Sequence, residues 1–397
     1  MPSRKLSLIP PYLFAELDKK IDAAKAQGRD IINLGIGDPD LPTPKLIVDA
    51  MQQAVADPET HNYPPYRGTQ AFRQAVSQWM KTRFGVTIDP ESEALSLIGS
   101  KEGIAHLILA YADPDDIVLA PSPGYPVYHN FTLLAGAKPH TLPLLAENHF
   151  LPDYDAIPTS IAERAKLLFL NYPNNPTGAI ASMEFMEKTI AFCKRHQILL
   201  CHDNAYSEMT FDNYKAPSFL SISGAKDICI EMFSLSKMYN MTGWRVGFAV
   251  GNAEAISALG LIKNNCDSGV FKAIQKAAIA GLDHSESLLQ DLNAIYARRR
   301  NIFVNGLNTL GWQFKPNSAT FYLWIPVPPG FTDPQFAELL LEKCNIVVAP
   351  GSGYGEAGKG FFRVALTQPD KRIEEAIQRL KTHEIRFDMG KQVTQVS

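Results

Sequence analysis

The chain has 397 residues, of which 46% are hydrophobic and 20% charged, with a formal net charge of −3. That length suits about two domains of roughly 100–200 residues each, and the near-neutral balance offers nucleic acid no basic field. No run reaches the ~18 apolar residues needed to cross a bilayer, so neither a nucleic-acid nor a membrane partner is expected. The amino-terminal stretch MPSRKLSLIPPYLFAEL is broken by Pro10 and Pro11 and makes a poor signal peptide, which points to the cytoplasm. Five dispersed cysteines without a CxxC pair fit reduced thiols. The histidines form no HExxH and no close pair, and no metal site is expected.

The first 30 residues read as a helix with a polar tip at AQGRD, placed to pack on a smaller domain or on a partner subunit. From about residue 94 to 250, short apolar runs alternate with amphipathic segments. ALSLI precedes a helical IAHLILAYA, DIVLA precedes PVYHNFTLLAG, and AKLLFL precedes a helix through MEFMEKTIAFCKRH; ILLCH and ICIEMF come next. Such runs, apolar throughout and alternating with helices, predict an α/β domain whose largely parallel central sheet is covered on both faces. The last third changes character: a long helix around Leu288 to Leu310, then ATFYLWIPV, a helix QFAELLLEKC, NIVVAPG and GFFRVAL. This is an α+β pattern. The expected division is a large domain over 46–284 and a small one built from 1–45 and 285–397.

Ligands of an open α/β sheet sit outside the carboxyl ends of its strands, so the residues just past each apolar run are the candidates. After ALSLI, GSKEG brings Ser100, Lys101 and Glu102 to a helix start. NYPNNPTG, with Asn171, Asn174 and Asn175, comes after AKLLFL. DNAY supplies Asp203 and Tyr206, and ICIEMF runs into Ser234, Ser236, Lys237 and then Arg245. Taken singly, these are a helix start, a turn and a helix cap. Together they set a carboxylate, an amide, a phenol, a lysine, hydroxyls and a guanidinium on one edge of one sheet.

Those groups match pyridoxal 5′-phosphate. Its aldehyde needs a primary amine with which to condense, and Lys237 is the one in the cluster. A buried carboxylate, Asp203, would favour the protonated ring nitrogen. Asn175 and Tyr206 suit the phenolic oxygen. Ser100, Ser234, Ser236, Arg245 and the backbone after Gly99 suit the phosphate. Tyr125, in PGYPVY, either lies against the cofactor face or is an ordinary core tyrosine. Arg363 stands in the otherwise apolar FFRVAL, where burial would call for an anion.

The motifs NYPNNPTG, DNAY, SLSK with GWR, and FFRVAL resemble, in order and spacing, the class I aminotransferases of the pyridoxal-phosphate fold-type I group. The resemblance runs from GDPDLPTP to Arg363. It implies Lys237, Asp203 and Tyr206 as the catalytic set, with Lys237 as the cofactor lysine. It also implies Arg363 as the clamp on the substrate α-carboxylate and the Gly37 backbone as part of that pocket. A homodimer with shared sites is implied as well, Tyr63 of NYPPYRG reaching the partner's phosphate and Tyr12 lying near a substrate pocket. The phrases PPYLFAEL, GDPDLPTP, YPPYRG, LIGSKEGIAH, PGYPVY, DNAYSEM and TFYLW are similar to the subgroup acting on LL-diaminopimelate with 2-oxoglutarate. Met238 and Phe233 depart from that subgroup's usual threonine and histidine and are expected beside the cofactor. Lys101 is either the partner of a distal substrate carboxylate or a solvated lysine. Rival readings are transfer from alanine, aspartate, methionine or aromatic amino acids, C–S β-elimination on the same scaffold, or a non-catalytic cofactor-binding regulator. The last needs a DNA-binding extension, and only about 30 residues precede the core.

Overall fold

The main sheet has seven strands: β1 Ala94–Leu97, β2 Ile117–Ser122, β3 Lys138–Pro143, β4 Ala165–Leu170, β5 Leu199–Asp203, β6 Cys229–Ser234 and β7 Gly247–Gly251. The computed structural model describes residues 3–10 and 13–389. Strand order is β1-β7-β6-β5-β4-β2-β3. The pairs β2·β3, β2·β4, β4·β5 and β5·β6 are parallel, and β7 runs antiparallel to β6 and β1. The central strands are buried on both faces, which is why their runs are apolar without alternation. Neighbouring residues feed opposite faces: Leu168 and Leu200 enter one core cluster, Leu167 and Cys201 the other. The edge strand β3, KPHTLP, buries Leu142 alone and tolerates two prolines for that reason.

Helix boundaries are set by local chemistry. The helix Met183–His196 starts where the Ser182 hydroxyl accepts the Phe185 N–H at 3.1 Å, and ends at Gln197 in a left-handed conformation, φ 55°. After β1 comes α2, Ser100–Tyr111, and after β2 comes α3, Val127–Ala135; the amino-terminal helix, Leu13–Ala26, is α1.

The carboxy-terminal part centres on β8, Tyr322–Pro326, paired antiparallel with β9, Phe361–Ala365, under the 25-residue helix α4, Ser285–Thr309. Its core joins Phe303, Leu307, Phe336, Leu340, Phe362 and Ile373, and takes in Tyr206, Met209 and Phe211 from the segment after β5. Ile32–Asn33 pairs in parallel with Ile346–Val347, which ties the amino-terminal segment to this part. On α1, Leu17, Ile21 and Ala24 pack with Trp324, Leu341, Val347 and Tyr354, so the helix covers the smaller core. All five cysteines are free. Among the described residues, no helix is long and apolar enough to cross a membrane.

Candidate active site

A cavity of about 370 Å³ opens where the ends of β4, β5 and β6 meet the start of α2, the Ile36–Asp38 segment and Arg363 of β9. A larger cavity, about 830 Å³, lies elsewhere between Trp79, Arg83, Glu208 and the start of α4. None of the groups that the strand ends bring together lines it.

Lys237 sits in the single helical turn Leu235–Met238 that succeeds β6. Its Nζ donates to the Gly37 carbonyl at 2.9 Å. The side chain opens onto the cavity and is otherwise enclosed, and this burial, helped by Arg363 and Arg245, pushes the amine down to about 8 against the pull of Asp38. Gly37 is needed at close quarters, since a Cβ there would lie 2.1 Å from the Tyr322 hydroxyl.

Asp203 closes β5. The Tyr128 hydroxyl, on α3, donates to its Oδ2 at 2.8 Å, while Oδ1 is buried with no partner among the described residues. Burial raises the carboxyl to about 6, against the downward pull of the Tyr128 bond and of His202. A buried, half-satisfied carboxylate is costly unless a donor arrives from the cavity.

The turn after β4 braces itself against β5. Asn171 donates from Nδ2 to the Asp203 carbonyl at 2.6 Å and accepts the Asn175 N–H at 2.7 Å. The Asn174 Oδ1 takes the N–H and hydroxyl of Thr177 at 3.0 and 2.7 Å. Arg363 has no exposed surface; it donates to the Asn175 Oδ1 at 2.9 Å and to the Gly35 carbonyl at 2.7 Å. Because a guanidinium only donates, the Asn175 oxygen must face it, which leaves Nδ2 as a donor. The Arg363 guanidinium also stands 4.1 Å from the centre of the Tyr322 ring, whose hydroxyl is 3.3 Å from that of Tyr206.

At the far end, Arg245 crosses over Gly99. A Cβ on Gly99, φ +78°, would lie 2.2 Å from its Nη2. Arg245 donates to the Ser236 hydroxyl at 3.3 Å and the Thr242 carbonyl at 2.9 Å. Gly99 caps α2 without a side-chain bond, so the first N–H groups of that helix remain for an anion. Ser100 and Ser234 complete this cup on the cavity wall.

Of the residues expected at the site, Ser100, Lys101, Tyr125, Asn175, Asp203, Tyr206, Ser234, Ser236, Lys237, Arg245, Gly37 and Arg363 line this cavity. Glu102 does not: its carboxylate turns back to accept the Ile98 N–H at 2.9 Å and to meet Lys263 and His106, leaving it only a backbone role at the helix start. Glu102, His106 and Asp267 draw together in a metal-like group, but the Lys263 ammonium already sits there, 2.8 Å from Asp267. Phe233 and Met238 are core residues rather than neighbours of the cavity. Phe233 stacks on Phe248 at 4.9 Å and meets Trp79 edge-on at 5.3 Å. Tyr63 lies away from this cavity and is 84% exposed. Tyr12 is outside the described residues. Strand-end reading misses Tyr128, although it lies one helical turn beyond Tyr125 in PGYPVY. It also misses Asp38 and Tyr322.

This cavity suits pyridoxal 5′-phosphate end to end: an amine for the aldehyde, an unpartnered carboxylate oxygen for a protonated ring nitrogen, and a cup of donors for the phosphate. Comparison with known proteins agrees. Residues 29–380 match the family model for aminotransferase class I and II. The chain is 57% identical to LL-diaminopimelate aminotransferase 2 of Trichormus variabilis, over 97% of this chain and 99% of that protein. It is 55% identical to LL-diaminopimelate aminotransferase of Gloeobacter violaceus, over 97% and 98%. Among solved structures, substrate-bound BacF of Bacillus subtilis superposes with a TM-score of 0.92 at 39% identity, covering 96% of this chain and 98% of that one. On the family match over most of the chain and these identities, the chain belongs to the class I and II aminotransferases and is a pyridoxal-phosphate-dependent enzyme of that family.

Proposed function

We propose that this enzyme moves an amino group between LL-2,6-diaminopimelate and 2-oxoglutarate, a step in making lysine. The observation that carries the chemistry is the grouping of Lys237, the open oxygen of Asp203 and the buried Arg363 around one cavity. The substrate is supported by the names of relatives at 55–57% identity over nearly the whole chain.

When bound, pyridoxal 5′-phosphate supplies the aldehyde that takes up the amino group and a ring that accepts the electron pair leaving the substrate Cα. Each side chain then has one task. Arg363 holds the substrate α-carboxylate by paired N–H donors. Lys237 Nζ would act as the general base that takes the proton from the substrate Cα and as the general acid that returns one to it on the reverse course. An amine pushed down to about 8 is partly free near neutral pH, as a base must be. Asp203 keeps the ring nitrogen protonated, and Asn175 Nδ2 with Tyr206 serves the phenolic oxygen. Arg245, Ser100, Ser234, Ser236 and the α2 start hold the phosphate, with Tyr125 at the cofactor face. Lys101, exposed at the mouth, takes the distal carboxylate.

The reading includes a homodimer in the cytoplasm, with Tyr63 of each subunit reaching the other's phosphate site; its near-complete exposure in the single chain supports an interface there. It also divides the chain into 46–284 and 1–45 with 285–397. Single-turnover spectra of the loaded enzyme test the substrate. LL-diaminopimelate should discharge the absorbance of the bound aldehyde faster than alanine, aspartate, methionine or phenylalanine at equal concentration. A faster discharge by any of those four by tenfold or more removes the substrate assignment and leaves the family.

A further inference from the structure

Tyr322 opens β8, is 3% exposed and lines the cavity. Across the antiparallel β8·β9 pair Arg363 faces Trp324, which makes Tyr322 its diagonal neighbour on the same face. The centre of the Tyr322 ring stands 4.1 Å from the Arg363 guanidinium, with the Tyr354 ring at 5.0 Å. The Tyr322 hydroxyl lies 3.3 Å from that of Tyr206 and rests against Gly37, whose carbonyl accepts the Lys237 Nζ. The backbone is built to hold this side chain in place. Thr320, two residues earlier, is fully buried at φ +66°, a costly conformation for a β-branched residue. Local bonds offset that cost. The Thr320 N–H donates to the Met209 carbonyl at 2.8 Å, its Oγ1 accepts the Tyr322 N–H at 3.2 Å, and Asn317 Nδ2 donates to the Tyr322 carbonyl at 3.0 Å. Met209 in turn donates its N–H to the Tyr206 carbonyl at 3.0 Å, and the Phe211 N–H donates to the Ser318 carbonyl at 2.8 Å. The strained residue before Tyr322 is thereby tied to the turn that carries Tyr206, and strain held by its surroundings in this way gathers at functional sites.

We propose that Tyr322 is a positioning residue with two tasks: its ring aims the Arg363 guanidinium at the substrate carboxylate, and its hydroxyl donates to Tyr206. The proposal rests on the proposed roles of Arg363 and Tyr206. A ring over the face of a guanidinium attracts the cation and leaves a carboxylate only the N–H edge, where two parallel bonds form. Only one proton fits between the two tyrosine oxygens. With the Tyr206 proton directed at the cofactor's phenolic oxygen, Tyr322 must supply the one between them, and a hydroxyl that accepts such a bond is a stronger donor itself. Tyr322→Phe therefore removes the second task alone, whereas Tyr322→Leu removes both.

Two dissociation constants separate the tasks. The first is that of glutarate from the loaded enzyme, since glutarate has both carboxylates of 2-oxoglutarate and no keto oxygen to react. Tyr322→Leu should weaken it by about tenfold, while Tyr322→Phe, which keeps the ring, should stay within about threefold of the parent. The second is that of pyridoxal 5′-phosphate from the apoenzyme, which Tyr322→Phe should raise by about two- to tenfold, the effect of one neutral hydrogen bond. Tyr322→Met serves for the ring if Tyr322→Leu does not fold. Glutarate weakened equally by Phe and Leu would mean a purely structural tyrosine and overturn the proposal, as would a cofactor affinity that Tyr322→Phe leaves unchanged. Arg363→Gln separates this from the reading it rests on. Glutarate binding indifferent to Arg363→Gln removes the clamp and the proposal with it; binding that depends on Arg363 but not on the Tyr322 ring overturns the proposal alone. Neither constant involves diaminopimelate, so the substrate assignment stands or falls separately.

Discussion

Replacing Asp203 by asparagine is expected to stabilise the cofactor-free protein while disabling the enzyme. Burial holds the Asp203 carboxyl at about 6 against its usual 3.8, so the folded chain resists an ionisation that the unfolded chain undergoes freely. A raised carboxyl contributes most below 3.8, and that contribution is lost as pH climbs through about 6. At about 1.36 kcal/mol per pH unit, the gap amounts to about 3 kcal/mol. An amide has no charge to desolvate and keeps an oxygen for the Tyr128 hydroxyl. Denaturant unfolding of the apoenzymes, monitored by circular dichroism, should show Asp203→Asn more stable by up to about 3 kcal/mol at pH 8 and by roughly half that at pH 5. In the loaded enzyme the sign reverses. The protonated ring nitrogen loses its buried counter-charge, and kcat should fall by on the order of 10²–10³. An apoenzyme variant less stable than its parent at pH 8, or a loss in kcat below tenfold, would refute this account of Asp203.

The other outcomes concern the lysine, the dimer and the mouth of the cavity. Borohydride should fix the cofactor onto a peptide containing Lys237, and Lys237→Ala should abolish turnover while the fold, and phosphate binding by Arg245 and the serines, persist; near-normal turnover would end the mechanism. Since only the free amine attacks an aldehyde, the rate at which apoenzyme takes up cofactor should climb with pH through about 8, where burial sets Lys237; a rate that falls over that range counts against it. Mixing inactive Lys237→Ala chains with an inactive Tyr63 variant should restore activity in mixed dimers, whereas a fully active monomer in sedimentation rules sharing out. Lys101→Ala should lower kcat/KM for diaminopimelate by about 10–100-fold and leave an alanine reaction much less affected, because a charged contact is worth roughly 1.5–3 kcal/mol only where it exists.

Much of the site was legible because parallel strands announce themselves. Runs apolar on both faces, such as AKLLFL and ICIEMF, fall within one residue of β4 and β6, and the polar residues just past them turn out to share one cavity. What escaped has physical causes. β3 is an edge strand with one buried residue, and β7 is bounded by glycines, so neither offers a strong run. Tyr128 reaches Asp203 from a helix, not from a strand end. His202 and Glu231 lie inside apolar runs, where a sequence shows a polar letter but not the partner across the strands. Glu102 sits at the right helix start, yet its side chain satisfies its own turn rather than the cavity. Phe233 obeys the strand's alternation and enters the aromatic core, although its neighbour Ser234 lines the cavity.

The most direct test of the substrate reading is the complete reaction with purified enzyme. Glutamate and the cyclised keto form, tetrahydrodipicolinate, are supplied, and the product is resolved by chiral chromatography. LL-diaminopimelate should form with 2-oxoglutarate in equal amounts, and in reverse its kcat/KM should exceed that of alanine, aspartate, methionine and phenylalanine. No diaminopimelate, or a tenfold preference for a small neutral or aromatic amino acid, would contradict it.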